Sequence, residues 1–242
     1  MTHYGEHLFR YRGQLPLIII IIAIQIIATT SYYNIFPIEY QNIVQYCSIL
    51  LSICGLFLRY YITGTTPEDT SGRNRKKQIA NTLNTTGAYS IVRNPLYLAN
   101  YLIWIGLASY SLSYILCIII SLLFIIYYER IIIVEEKFLS EKFKVKYDIF
   151  CQKTPVFLPS FRNFQKSNYP FSIKNILRQE YSSTLSLIVT YIYIDVLLII
   201  FHGNNITCNL KTWKHHIYIF VVSILITALL KVIKTKSNLL DE

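Results

Sequence analysis

Apolar residues run along this chain in unbroken blocks separated by polar stretches, and do not recur every third or fourth position as on a helix with one buried face. A helix needs about 20 mostly apolar residues to cross a bilayer core of roughly 30 Å. Residues 15–33, 43–62, 184–201 and 216–233 each read as one such crossing. A fifth block, 96–134, is long enough for two, and Ser109, Ser111 and Ser113 interrupt it near its middle, which predicts a tight helical hairpin. The pattern therefore predicts an all-α, polytopic membrane protein of six transmembrane helices.

Composition agrees: the 242 residues are 53% hydrophobic with a mean hydropathy of +0.40. Short cytoplasmic loops carry the Lys and Arg excess of a membrane protein. With an internal N-terminus, all of the 23 Lys and Arg fall on the inner side except Arg59, Lys211 and Lys214, with Arg59 near the inner end of the second span. Both termini are thus expected to be cytoplasmic. The net charge of +10 becomes a basic inner rim facing anionic lipid headgroups, and no nucleic-acid partner is expected, because the charge is spread over loops between spans. Arg10 and Arg12 ahead of an Ile run resemble a signal peptide, but the run passes Ala28 without a small-x-small cleavage site, so an uncleaved first span is expected.

Five cysteines (Cys47, Cys54, Cys117, Cys151, Cys208) form no CxxC pair and read as packing residues. His3, His7, His202, His215 and His216 all flank spans, where interfacial placement explains them; no metal site is expected. Asp195 stands alone in the fifth span, and an intramembrane carboxylate is a functional candidate that also fits pairing with a Tyr or Ser of a neighbouring helix.

Chemistry concentrates where the third span begins and the fourth ends. Asn84, Thr85, Thr86 and Gly87 are turn and cap residues leading into Arg93, Asn94, Pro95, Leu96, Tyr97. Pro suits the first turn of a helix, where its missing N–H would be unpaired anyway. Arg93 adds a fixed charge able to grip a carboxylate or phosphate bidentately. The hairpin returns the chain to the same face, so Glu135 and Glu136 become neighbours of Arg93, able to hold a cationic or hydroxyl-rich ligand. Beyond them Phe138, Leu139, Phe143, Tyr147 and Phe150 recur at helical spacing among Lys and Glu, which predicts an amphipathic helix on the membrane surface or over the site, stopped by Pro155 and Pro159.

The segment GAYSIVRNPLYLANYLIWIG resembles the RHPxYxG signature of the isoprenylcysteine carboxyl methyltransferase and phospholipid methyltransferase group, and VEEKFLSEKFKVKYDIFCQKTPVFLP is similar to that group's EExxL, Tyr and Pro ending. The resemblance covers roughly residues 43–159. It implies a membrane-embedded enzyme dependent on S-adenosylmethionine, with a cofactor pocket open to the cytosol and a lipid-side entrance for a membrane lipid or lipidated acceptor. Carried over by position, Arg93 and Asn94 would be catalytic. Tyr89, Pro95, Tyr97, Glu135 and Glu136 would bind the cofactor, and Arg93 with Tyr147 would bind substrate. The chain then divides into 1–42 (first span and outer loop), 43–160 (methyltransferase-like core), 161–183 (inner linker) and 184–242 (a C-terminal pair of spans).

Two positions depart from the group's pattern: Asn94 stands where His is usual and Ala99 where Gly is usual. Asn donates and accepts hydrogen bonds but offers no imidazole. A carboxylate or phosphate acceptor is already anionic at neutral pH and needs alignment more than a general base, whereas an amine must first lose a proton. Asn94 therefore points to O-methylation of an isoprenylcysteine carboxylate or a lipid phosphate. The cluster Arg73, Arg75, Lys76, Lys77 suits a phosphorylated headgroup as well as it suits topology-setting charge. A lipid-binding descendant with a decayed site is the main alternative. A transporter would place several charges inside its spans. A membrane reductase would need no GxGxxG turn.

Overall fold

The computed structural model describes residues 15–29, 37–67, 80–202 and 210–236. Arg10, Arg12, the 73–77 basic cluster and Cys208 lie outside the described residues. Among those described there are no strands. Seven helices follow one another: α1 (Leu15–Thr29), α2 (Ile38–Gly64), α3 (Pro95–Tyr110), α4 (Tyr114–Phe143), α5 (Val145–Lys153), α6 (Ile173–His202) and α7 (Leu210–Lys236). Glu39–Gly64, Tyr114–Phe143, Ile173–His202 and Lys214–Lys236 are long and apolar enough to cross a membrane. The described parts of α1 and α3 are apolar but only 15 and 16 residues long, so four of the six expected spans meet that length.

The predicted hairpin is present between α3 and α4. Ser111 and Ser113 sit in its turn, Leu112 takes a positive φ of 57°, and the Ser113 hydroxyl caps α4 by accepting from the Leu116 N–H at 3.3 Å. α2 and α3 approach closely because small residues line their contact. A Cβ built on Gly106 would come within 2.2 Å of Ser52 Oγ and 2.7 Å of the Ser48 carbonyl oxygen. Without a strong hydrophobic drive between helices in lipid, such close backbone packing is what holds them together. Ala99, fully buried, packs with Ile62 and Ala88 at this same contact, so its methyl is spent on helix packing.

Two boundaries differ from expectation. The amphipathic stretch after Glu136 is not one helix: α4 runs to Phe143, and Lys144, at φ 48°, breaks it from α5. α6 begins at Ile173, three turns before the apolar block, carrying Lys174, Arg178 and Glu180 on helix.

The stretch between α5 and α6 is laced across the turn that precedes α3. The Gly87 N–H donates to the Gln165 carbonyl at 2.8 Å, the Ser160 N–H to that of Ile91 at 3.0 Å and the Arg93 N–H to that of Pro155 at 2.8 Å. Gly87 holds φ +61°, a conformation that suits glycine. Farther along, the Ser172 N–H donates to the Gly64 carbonyl at 2.8 Å. This strap closes one end of the bundle, and the site lies under it.

Candidate active site

Arg93 leaves the laced turn, and its side chain lies between α4 and α5. Its Nη1 stands 3.5 Å from Glu136 Oε1 and donates to Cys151 Sγ at 2.7 Å. The hairpin thus joins residues that lie 43 and 58 positions apart. Asn94 precedes α3 without capping it; its Nδ2 donates to the Val156 carbonyl on the strap at 3.1 Å. The Tyr147 and Asn94 side chains also reach the Glu136 carboxylate. Tyr147, on α5, is 4% exposed. Burial pushes its hydroxyl well above the usual tyrosine range, and the neighbouring Glu136 charge and Cys151 push the same way while Arg93 opposes them. The hydroxyl therefore stays protonated and acts as a donor.

Two buried polar atoms of this cluster, Arg93 Nε and Glu136 Oε1, have no hydrogen-bond partner. One belongs to a cation and the other to an anion, and the two groups are ion-paired at 3.5 Å with a hydrogen-bonding position left unused on each. They fit a ligand that brings both a carboxylate and an ammonium or hydroxyl group.

The expected site residues divide. Arg93, Asn94, Glu136 and Tyr147 come together. Pro95 is fully buried at the first position of α3. Tyr97 turns toward α4, its ring 4.5 Å from that of Tyr128, in a cluster with Ile131 and Ile132. Glu135 is half-buried. Tyr89 packs with the Ile62, Ala88 and Ala99 cluster facing α2, a different group from that around Tyr97.

Sequence reasoning missed the aromatic wall beside the polar cluster. Phe124 and Tyr128 stack at 4.0 Å, and Tyr101 lies 6.0 Å from Phe157 of the strap. Aromatic residues one helical turn apart on both arms of the hairpin were the available signal. It also missed Glu180, which is 1% exposed and grips Arg59 at 3.0 Å while accepting from Thr63 at 2.8 Å. The intramembrane carboxylate Asp195 is bound by the Tyr110 hydroxyl at 2.6 Å and by His216 Nε2 of α7 at 2.9 Å, so a histidine expected merely at the interface is its partner.

Residues 43–146 match the phospholipid methyltransferase family. The match takes in α2, the hairpin and Glu136. The chain is also 35% identical over 86 residues to the nickel-cobalt-cadmium resistance protein NccN of Alcaligenes xylosoxydans xylosoxydans, covering 36% of this chain and 40% of that protein. It is 35% identical over 79 residues to the cobalt-zinc-cadmium resistance protein CzcN of Cupriavidus metallidurans, covering 33% of this chain and 36% of that protein. The alignments therefore span about two fifths of the curated relatives' length. No solved structure matches the chain. Among the described residues no group of three or more His, Cys, Asp or Glu is placed to hold a metal ion.

Proposed function

We propose that the chain is an integral membrane methyltransferase that uses S-adenosylmethionine to methylate an anionic oxygen on a lipid or lipidated acceptor, at the Arg93–Glu136–Tyr147 cluster. The observation that carries this reading is the Arg93–Glu136 ion pair, whose Arg93 Nε and Glu136 Oε1 make no hydrogen bond, within the segment that matches the family. Bound there, S-adenosylmethionine would supply an electrophilic methyl group. Arg93 is suited to its carboxylate and Glu136 to its ammonium or ribose hydroxyls, with Tyr147 donating a hydrogen bond that fixes the Glu136 carboxylate.

With Glu136 assigned to the cofactor, the cluster's other side chains offer no base for an amine. Asn94 is an amide whose Nδ2 is engaged by the strap, and the Tyr147 hydroxyl holds its proton. An acceptor already anionic, a carboxylate or a phosphate, needs only to be aligned in line with the methyl group and shielded from water. The strap shields the cluster, and the aromatic wall of Tyr101, Phe124, Tyr128 and Phe157 offers a surface for the acceptor's hydrocarbon part. The Lys and Arg excess at this end of the bundle supports a cytoplasmic orientation for it.

A binding-only descendant of the family is favoured by one observation: Arg93 Nη1 and Asn94 Nδ2 are occupied by Cys151 and Val156 of the chain itself. Calorimetry on the detergent-purified protein separates these readings. Saturable S-adenosylmethionine binding, weakened at least tenfold by Arg93→Ala and by Glu136→Gln, is expected, followed by transfer of labelled methyl to lipid. Binding without transfer to any membrane lipid would favour the binding-only protein. No binding by a folded protein would overturn the methyltransferase and leave a lipid-binding or structural role.

A further inference from the structure

Outside the family-matching segment, α6 and α7 diverge to leave an apolar groove of about 390 Å³, within the size range of small-ligand pockets. Leu185 and Ile188 of α6 and Val222 and Ile226 of α7 form its sides, and Tyr60 of α2 closes its back. It lies on the α2–α6 side of the bundle, whereas the Arg93 cluster belongs to α3, α4 and α5.

Two contacts frame the groove along the helices: the Asp195–His216 pair at one end, and Lys234, whose Nζ stands 5.6 Å from the centre of the Tyr181 ring, at the other. Lys231 and Lys234 are exposed at that second end. Glu180, the carboxylate in the lining, has its charge taken up by Arg59 at 3.0 Å and so does not oppose an anion at the mouth. Outside the groove α7 shows apolar side chains outward, Leu225 and Leu229 among them at 62% and 60% exposed, so the phase surrounding the groove is bilayer hydrocarbon. At that depth water is excluded and a lipid chain is the occupant at hand.

We propose that the groove between α6 and α7 is a lipid-binding site separate from the Arg93 cluster. It takes one chain of an anionic phospholipid, with the headgroup against Lys231 and Lys234. A phosphate beside two Lys at the membrane surface gains electrostatically where a zwitterionic headgroup gains little. The lipid bridges α7 to the core where protein contacts leave space.

The full-length protein is reconstituted in nanodiscs with equal amounts of phosphatidylglycerol and phosphatidylcholine, extracted into detergent, and its retained lipid identified by native mass spectrometry. One phosphatidylglycerol per chain is expected to be retained in preference to phosphatidylcholine. Filling the groove with Ile188→Trp and Ile226→Trp should cut that retention about tenfold, while Lys231→Ala with Lys234→Ala should abolish the preference between lipids. Equal retention of both lipids by the wild type, or undiminished retention by a folded groove-filled variant, would overturn the proposal. A measurement needing no variant uses phosphatidylglycerol with a photoreactive chain. Adducts should concentrate on residues 185–188 and 222–226, and adducts spread evenly over the lipid-facing side of α4 would also refute it. Both readouts are independent of S-adenosylmethionine binding.

Discussion

Arg93 shows how one side chain is held and yet left open. Its backbone N–H is fixed by the Pro155 carbonyl and its Nη1 by Cys151 and Glu136, while its Nε is buried without a partner. Glu136 is the matching anion, and Tyr147 is a neutral group that steadies it. Because the Tyr147 ring is buried while its hydroxyl serves Glu136, Tyr147→Phe keeps the packing and removes the donor. A hydrogen bond to a charged group is worth about 1.5–3 kcal/mol, and about 1.4 kcal/mol is tenfold in affinity. Because that donor also serves Glu136 in the unliganded protein, Tyr147→Phe should lower the melting temperature by about 3–12 °C, at roughly 2–4 °C per kcal/mol. Its S-adenosylmethionine affinity, measured by calorimetry, should fall about tenfold. Since burial and Glu136 both raise the Tyr147 pKa, that hydroxyl should not titrate between about pH 6 and 9, a span below the ordinary tyrosine value of about 10, and the tenfold ratio should hold across it. A ratio collapsing toward one as pH rises would mean that the hydroxyl ionises.

Helix α3 is set by its neighbour α2, and Gly106 is where their backbones come nearest. Overpacking a tight site costs about 1–3 kcal/mol. Gly106→Val forces its Cβ against the Ser48 carbonyl and Ser52, so its melting temperature in detergent should drop by about 2–12 °C, at roughly 2–4 °C per kcal/mol for a chain of this size. Ile125→Val, on the exposed side of α4, should melt like the wild type. Elements of this kind were legible from the apolar blocks: the hairpin, its serine turn, and hence the meeting of Arg93 with Glu136 follow from block length and the residues that interrupt it. The strap was not. Its bonds from Gly87, Ile91 and Arg93 to residues 155–165 are backbone to backbone, and backbone groups are the same at every position, so no residue type marks them. The early start of α6 was hidden for a related reason. Lys174, Arg178 and Glu180 lower the apolar signal there, although Glu180 is satisfied by Arg59 and Thr63. Asn94 illustrates the limit at the site itself, since its departure from the usual His was visible while its bond to the Val156 carbonyl was not.

At the scale of the molecule, α6 is tied to the segment matching the family by polar contacts within an apolar surround. Tyr191 donates to Ser52 Oγ at 2.8 Å, Asp195 accepts from Tyr110 at 2.6 Å, and Glu180 accepts from Arg59 and Thr63. The Glu180 contact is the most heavily connected, because Arg59 also donates to Asn100 on α3 and to Ser183, joining three helices at one point. Removing one partner of a buried ion pair costs about 3–5 kcal/mol, since the remaining charge is stranded, whereas replacing both by apolar groups is often neutral. Glu180→Leu should therefore lower the melting temperature of the detergent-purified protein by about 6–20 °C, at roughly 2–4 °C per kcal/mol. Arg59→Leu added to it should recover most of that loss. If Arg59 and Glu180 contributed only as independent packing residues, the double variant would be at least as unstable as the single one. Recovery of stability without recovery of methyl transfer would go further, showing that the ion pair orients α3, and with it Arg93, seven residues before Asn100, for the reaction.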